Sequence, residues 1–171
     1  MKRETAGTLL HYNVRDRLPA NANPPRDARL CRAWVLLCLA TGAHVADEAL
    51  TGFLSVYNPT VLAMRMRFPW WPMPAFAFRD WLAGLVVAVA VGLALSPLAF
   101  RNARGFRPLA YFFAVMMLLN GLGHTLGTIA GRTVPEVTFP RPMPGFYSSP
   151  LLLAASIYLL VQLRRSAAPS R

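Results

Sequence analysis

The chain has 171 residues, is 55% hydrophobic and only 15% charged, and carries a net charge of +11. A soluble domain of this size holds about 25% charged residues, so the deficit leaves room for several apolar segments and points to an integral membrane protein. In a soluble chain the basic excess would indicate nucleic acid. Here the arginines fall between apolar runs, which suits topology signals and contact with anionic membrane lipids, and no nucleic-acid partner is expected.

Residues 1–32 form a basic tail whose stretch "LPANANPPRDAR" is rich in proline and asparagine and reads as disordered. It has a basic start but no apolar core of a signal peptide, so the first apolar segment is expected to act as an uncleaved anchor. His11, in this tail, reads as a solvated bystander. Four apolar segments follow, at about 33–56, 81–100, 109–131 and 146–163. Their lengths of 18 to 24 residues each suffice for about 30 Å of hydrocarbon at about 1.5 Å per residue. The first is expected to end at "YNP" and the last at Arg164 and Arg165, leaving 164–171 as a short tail. Cys31 and Cys38 lie seven residues apart on the first helix, about 10 Å along its axis, which is too far for a disulfide.

Thirteen of the lysines and arginines fall on the side of the two termini and the 101–107 connection, against five on the other side. The positive-inside rule then makes the fold an all-α, four-span membrane bundle in the cell's inner (plasma) membrane with both termini cytoplasmic. The outward connections, 57–80 and 132–145, place Trp70, Trp71, Phe76 and Phe78 among prolines. That composition suits the headgroup interface better than the roof of a cavity.

Two of the seven acidic residues, Asp47 and Glu48, lie within a predicted span, as do two of the three histidines, His44 and His124. An aspartate at the membrane centre costs about 2.5–3.5 kcal/mol, so such groups face the bundle interior and have partners. His44 and Glu48 are four residues apart and share a helix face, with Asp47 beside them and Thr41, Thr51 and Ser55 extending a polar stripe. Asn120 and His124 repeat the four-residue spacing on the third span, next to a row formed by Gly123, Gly127 and Gly131 that would let another helix approach closely. Spans one and three run in the same direction. His44 and Asn120 each lie 11 residues into their spans, and Glu48 and His124 each lie 15. All five polar groups therefore share one layer.

The spacing "HVADE" resembles the motif of the HXXEE family of bacterial membrane proteins, whose function is unknown. "NGLGH" supplies the second histidine of that family, and "PMPG" at Pro142–Gly145 falls where the family has YxPG. Asp47 stands in place of the first glutamate, and Pro142 in place of the tyrosine, for which Tyr147 is the nearest substitute. The resemblance spans roughly 33–163 and implies enzymatic activity without naming a reaction.

Several readings follow. Two imidazoles and one or two carboxylates suit a mononuclear Zn²⁺, Fe²⁺ or Mn²⁺ site with His44, Asp47, Glu48 and His124 as ligands and Asn120 behind them. A four-helix di-iron site needs about four carboxylates, and only Glu136 at the outer rim could add to the two in the spans. Such a site would serve an enzyme acting on a lipidic or membrane-proximal substrate, with Glu48, His44 and His124 as catalytic groups. A metal-free alternative uses the same three residues for acid–base chemistry on a lipid-soluble substrate. A small ion or proton transporter would use them as a relay. The plainest alternative is polar packing between spans one and three, worth about 0.6 kcal/mol per group.

Overall fold

The computed structural model describes residues 26–101, 103 and 105–167. The chain is mostly helical: α1 (Arg26–Thr51), α2 (Leu54–Arg67), α3 (Phe78–Ala94), α4 (Ser96–Phe100), α5 (Phe106–Ala130) and α6 (Ser149–Ala167). One short antiparallel ribbon, β1 (Arg132–Val134) with β2 (Val137–Thr138), follows α5. No sign of this ribbon is visible in the sequence, because five residues of strand are too few to show an alternating pattern.

Several boundaries differ from expectation. α3 and α5 each start three residues early, and α6 starts three residues late and runs past Arg164 and Arg165 to Ala167. Three further differences have a clear local reason. α1 begins at Arg26 instead of Ala33, because arginine is a good helix former and the end of a charge run does not end a helix. The rest of the tail, including His11, lies outside the described residues. At its other end α1 stops at Thr51, where Gly52 adopts φ +76°, a left-handed turn that closes helices and that glycine takes without steric cost. The "YNP" stretch expected to end the span lies inside α2. Pro59 is tolerated there because the carbonyl it leaves without an amide belongs to exposed Ser55. Pro97, in the first turn of α4, divides the second apolar segment into α3 and α4.

Helix α6 organises the packing. It lies against both α1 and α5, whereas α1 and α5 barely touch each other, and α3 and α4 pack on α1. Ser148, just ahead of α6, meets Asp47 near the end of α1. Arg107, in the first turn of α5, donates to the Leu163 carbonyl and the Ser166 hydroxyl in the last turn of α6. So α6 runs antiparallel to both neighbours. The core fills the half of the bundle nearest the start of α1. There Leu30, Trp34, Leu37, Phe106, Leu159 and Leu163 are almost fully buried. Trp34 stands at its centre, edge-on to Phe106 at 4.9 Å, tilted against Phe113, and donating from Nε1 to the Gly92 carbonyl on α3.

Three stretches, Ala28–Thr51, Phe78–Phe100 and Phe106–Ala130, are long and apolar enough to cross a membrane. α6 is not among them, although it was expected as the fourth span. Its 19 residues include buried Ser149, Ser156 and Gln162 and end in Arg164 and Arg165. A helix enclosed by two neighbours can carry polar residues on its covered faces, and its mean hydropathy falls accordingly.

Trp34→Ala empties the centre of the core and removes an inter-helix hydrogen bond. It is expected to cost about 3–5 kcal/mol, read as a large drop in thermal midpoint, with Leu36→Ala on the exposed face as the neutral control.

Candidate metal centre

Three buried side chains converge at the far end of the bundle from Trp34. His44, Glu48 and His124 are 1%, 4% and 2% exposed. His44 and Glu48 come from one face of α1, and His124 comes from α5. Glu48 Oε1 lies 3.0 Å from His124 Nε2 and 3.5 Å from His44 Nε2. The two imidazoles meet edge to face with centroids 4.7 Å apart.

The hydrogen bonds behind the cluster fix the tautomer of each ring. His124 Nδ1 lies 2.5 Å from the Pro144 carbonyl. A carbonyl only accepts, so Nδ1 carries the proton. His44 Nδ1 lies 2.8 Å from Ser148 Oγ. That hydroxyl faces two further acceptors, Asp47 Oδ2 at 2.7 Å and the Gly145 carbonyl at 3.3 Å. Its one hydrogen is committed to them, so it accepts from His44 Nδ1. A ring with its one proton on Nδ1 turns an Nε2 lone pair toward the carboxylate of Glu48. In that form the three inward atoms are all acceptors, no other donor among the described residues lies between them, and His44 Nε2 has no hydrogen-bond partner.

A single loop, Met143–Ser148, closes the cluster, and two threonine hydroxyls pin it. Thr51 Oγ1 donates to the Asp47 carbonyl one turn back and accepts from Gly145 N–H. Thr128 Oγ1 does the same between the His124 carbonyl and Met143 N–H. Gly145, at φ +85°, lies so close to the site that a Cβ would stand 2.7 Å from His124 Cε1 and 2.9 Å from Glu48 Cγ. The position thus needs glycine twice, for its backbone conformation and for the absence of a side chain.

Other predicted residues fall elsewhere. Asp47 does not reach the cluster. Its Oδ2 accepts from both N–H and Oγ of Ser148, so it acts on His44 through that serine. The i+3 position had put Asp47 beside His44 and Glu48, but the start of α6 draws its carboxylate away. Asn120 makes no hydrogen bond to Glu48 or to either histidine and instead lines cavities on both sides of the cluster. Glu136, in the turn between β1 and β2, is exposed and paired with Arg67. Its own backbone hydrogen bond and the Arg67 guanidinium hold its carboxyl below the usual carboxylate range. Tyr147 is 69% exposed and stays outside the site. In the glycine row, Gly127 receives the sulfur of Met143 instead of a helix, and Gly123 faces open space. The close approach of α6 comes at Gly121, against Leu153.

The sequence reading missed Ser148, Thr128 and the carbonyl of Pro144. Thr128 follows His124 by four residues, as Thr51 follows Asp47, and that parallel spacing was the available signal. Pro144 falls in the "PMPG" stretch but without a stated role, and Ser148 gave no signal, because its role depends on where the loop lands.

Two cavities flank the centre. One, of about 420 Å³, is lined by Glu48, Phe53, Trp81, Gly84, Met116 and Asn120 among others, with Met73 and Phe76 of the segment before α3 on its wall. The other, of about 270 Å³, is reached from His124, Gly123 and Met143. Residues of the proline- and aromatic-rich connection thus help to cover a cavity, while Trp70 remains 73% exposed. Comparison of the chain with protein-family models, with curated proteins and with solved structures found no match.

Gly145→Ala is expected to displace His124 and Glu48 together and to lower the thermal midpoint. Gly123→Ala, which enters open space, is expected to leave it unchanged or raise it slightly, since alanine is the better helix former by about 1 kcal/mol.

Proposed function

We propose that the chain is a multi-pass inner-membrane protein, a four-helix bundle with both termini cytoplasmic, and that His44, Glu48 and His124 bind one divalent metal in an enzyme acting on a lipidic or membrane-proximal substrate. The observation that carries this reading is the unpartnered, buried Nε2 of His44. One proton between Glu48 and His124 would resolve their 3.0 Å approach but leave His44 Nε2 bare. A metal ion gives all three acceptors a partner at once. Their atoms lie within 4.8 Å of one another. Ligands at about 2.0–2.2 Å from a tetrahedral or octahedral ion stand about 3–3.5 Å apart, which suits the two separations from Glu48, 3.0 and 3.5 Å.

Two imidazoles and one carboxylate suit zinc with an open fourth position, or ferrous iron and manganese with more than one. Three protein ligands beside two cavities fit a catalytic site better than a closed structural one. A metal held there would polarise a carbonyl or phosphoryl oxygen or lower the pKa of a bound water. The protein's own contribution is orientation: Asp47 through Ser148 fixes one ring, and the Pro144 carbonyl fixes the other. Transport has less support, because the bundle on the Trp34 side of the centre is packed with buried apolar side chains. The resemblance to the HXXEE family agrees with this reading in one respect: the "PMPG" stretch supplies both Pro144 and Gly145 to the centre.

Purified protein supplied with Zn²⁺, Fe²⁺ or Mn²⁺ and dialysed is expected to retain about one equivalent of one of them. His44→Ala and His124→Ala should abolish retention while remaining folded. A wild type that retains none under these conditions sinks the metal reading and leaves acid–base chemistry by Glu48 and His124. Ser148→Ala keeps all three ligands but frees His44 to rotate. It is expected to weaken metal affinity by about 10–100-fold, measured by competition with a chelator.

A further inference from the structure

The larger cavity has a shape of its own. Its walls are two helices that do not pack together: α3 contributes Trp81, Gly84 and Leu85, and α5 contributes Met116 and Asn120. α3 packs on α1 and α4 instead, so the two walls stand apart as a cleft with Glu48 at its inner end. The surfaces on either side of the opening are apolar and uncovered. Val86, Val87 and Val91 on α3 and Val115, Met116 and Leu119 on α5 are all more than 40% exposed. In a membrane these faces meet lipid, and the cleft continues that surface inward.

The polar groups of the cleft gather toward one end. Glu48 lies three residues before the end of α1, about 4.5 Å along the axis. Tyr57 and Asp80, near the starts of α2 and α3, line the same end. Phe53, Met73, Phe76 and Trp81 stand beside these polar groups, whereas beyond Glu48 and Asn120 the lining is Leu85 and Met116 with no polar side chain. The metal centre thus sits at the level where the polar part of a lipid joins its chain, with an apolar slot leading away from it. A volume of about 420 Å³ is within the range of ligand pockets, about 300–1,000 Å³.

We propose that the cleft between α3 and α5 admits one apolar chain of a membrane lipid from the side and holds that lipid's polar junction against Glu48. The substrate class is then an amphipathic lipid that enters from the bilayer, not a water-soluble molecule. This rests on the membrane placement and on the site described above, but not on the identity of the metal. Gly84 is the gate residue of the slot: a Cβ there meets nothing within 4 Å, so a larger side chain fills the cleft without disturbing packed atoms.

The test is photolabelling of the full-length protein in vesicles of phosphatidylethanolamine and phosphatidylglycerol. A fraction of the phosphatidylglycerol carries a diazirine on one acyl chain. Labelling is expected to concentrate on 81–85 and 116–120, about tenfold above the open apolar face around Leu126 and Ile129. Gly84→Phe should remove the excess while metal content and thermal midpoint stay at wild-type values; should it unfold the protein, Gly84→Leu takes its place. Even labelling of every apolar face in the wild type overturns the proposal, as does excess labelling that persists in the folded Gly84 variant. Metal content is read separately. Cleft labelling in metal-free His44→Ala protein supports the lipid site even if the metal reading falls. Stoichiometric metal with even labelling overturns the lipid site and leaves the metal centre.

Discussion

Two Nε2 atoms and a carboxylate oxygen turned toward one point, with both Nδ1 protons held by other partners, form the constraint on which the rest of this structure depends. Two neutral imidazoles and a carboxylate in that arrangement repel one another unless a cation, metal or proton, lies among them. A chain that wanted only to join helices would turn one ring around and let it donate to Glu48. The surroundings prevent this. The Pro144 carbonyl takes the Nδ1 proton of His124, and Ser148, held by Asp47, takes that of His44. The arrangement places both lone pairs inward, and several backbone and hydroxyl contacts are spent on keeping them there.

Those contacts need not be spent on holding the bundle together. α1 and α5 are joined through α6, by apolar side chains at the opposite end and by Arg107 on the last turn of α6. Had His44, Glu48 and His124 been the adhesive between α1 and α5, these two helices would pack closely around them. They do not. The cluster sits instead at a joint where two parallel helices and the loop entering a third come together, and that loop carries the glycine allowing the closest approach. Polar packing explains a pair of groups well, but it leaves the unpartnered Nε2 of His44 without a reason.

How much of this was legible in the sequence follows from which interactions are local. His44 and Glu48 on one face follow from a four-residue spacing on one helix, and their meeting with His124 follows from equal depth on two parallel helices. Both are arithmetic on helix geometry, and both describe the structure well. Asp47 was misplaced because spacing gives a direction but not a partner, and its partner lies 101 residues away at Ser148. Asn120 was misplaced for the opposite reason: shared depth does not bring a side chain into contact when its neighbours leave a cavity there. The end of α1 was read at a proline, while a glycine five residues before that tripeptide's tyrosine had already turned the chain. Most of α6 was legible as an apolar segment. Its central position was not, since nothing local distinguishes a helix enclosed by two neighbours from one enclosed by lipid.

The asymmetry of the bundle carries the functional argument furthest. At the Trp34 end the helices are sealed by large buried side chains. At the Glu48 end they separate, and two cavities flank the cluster. A conduit would need polar groups continuing through the sealed half, and the buried side chains there are mostly leucine, alanine, tryptophan and phenylalanine, with Ser156 and Gln162 as isolated polar groups on α6. A pocket needs the reverse: a closed floor, a reactive group at a fixed level and an opening on one side. α3 supplies that opening by leaning on α1 and leaving α5 free. The separation of α3 from α5 is therefore as much a part of the site as the three converging side chains, because it decides from which direction anything can reach them.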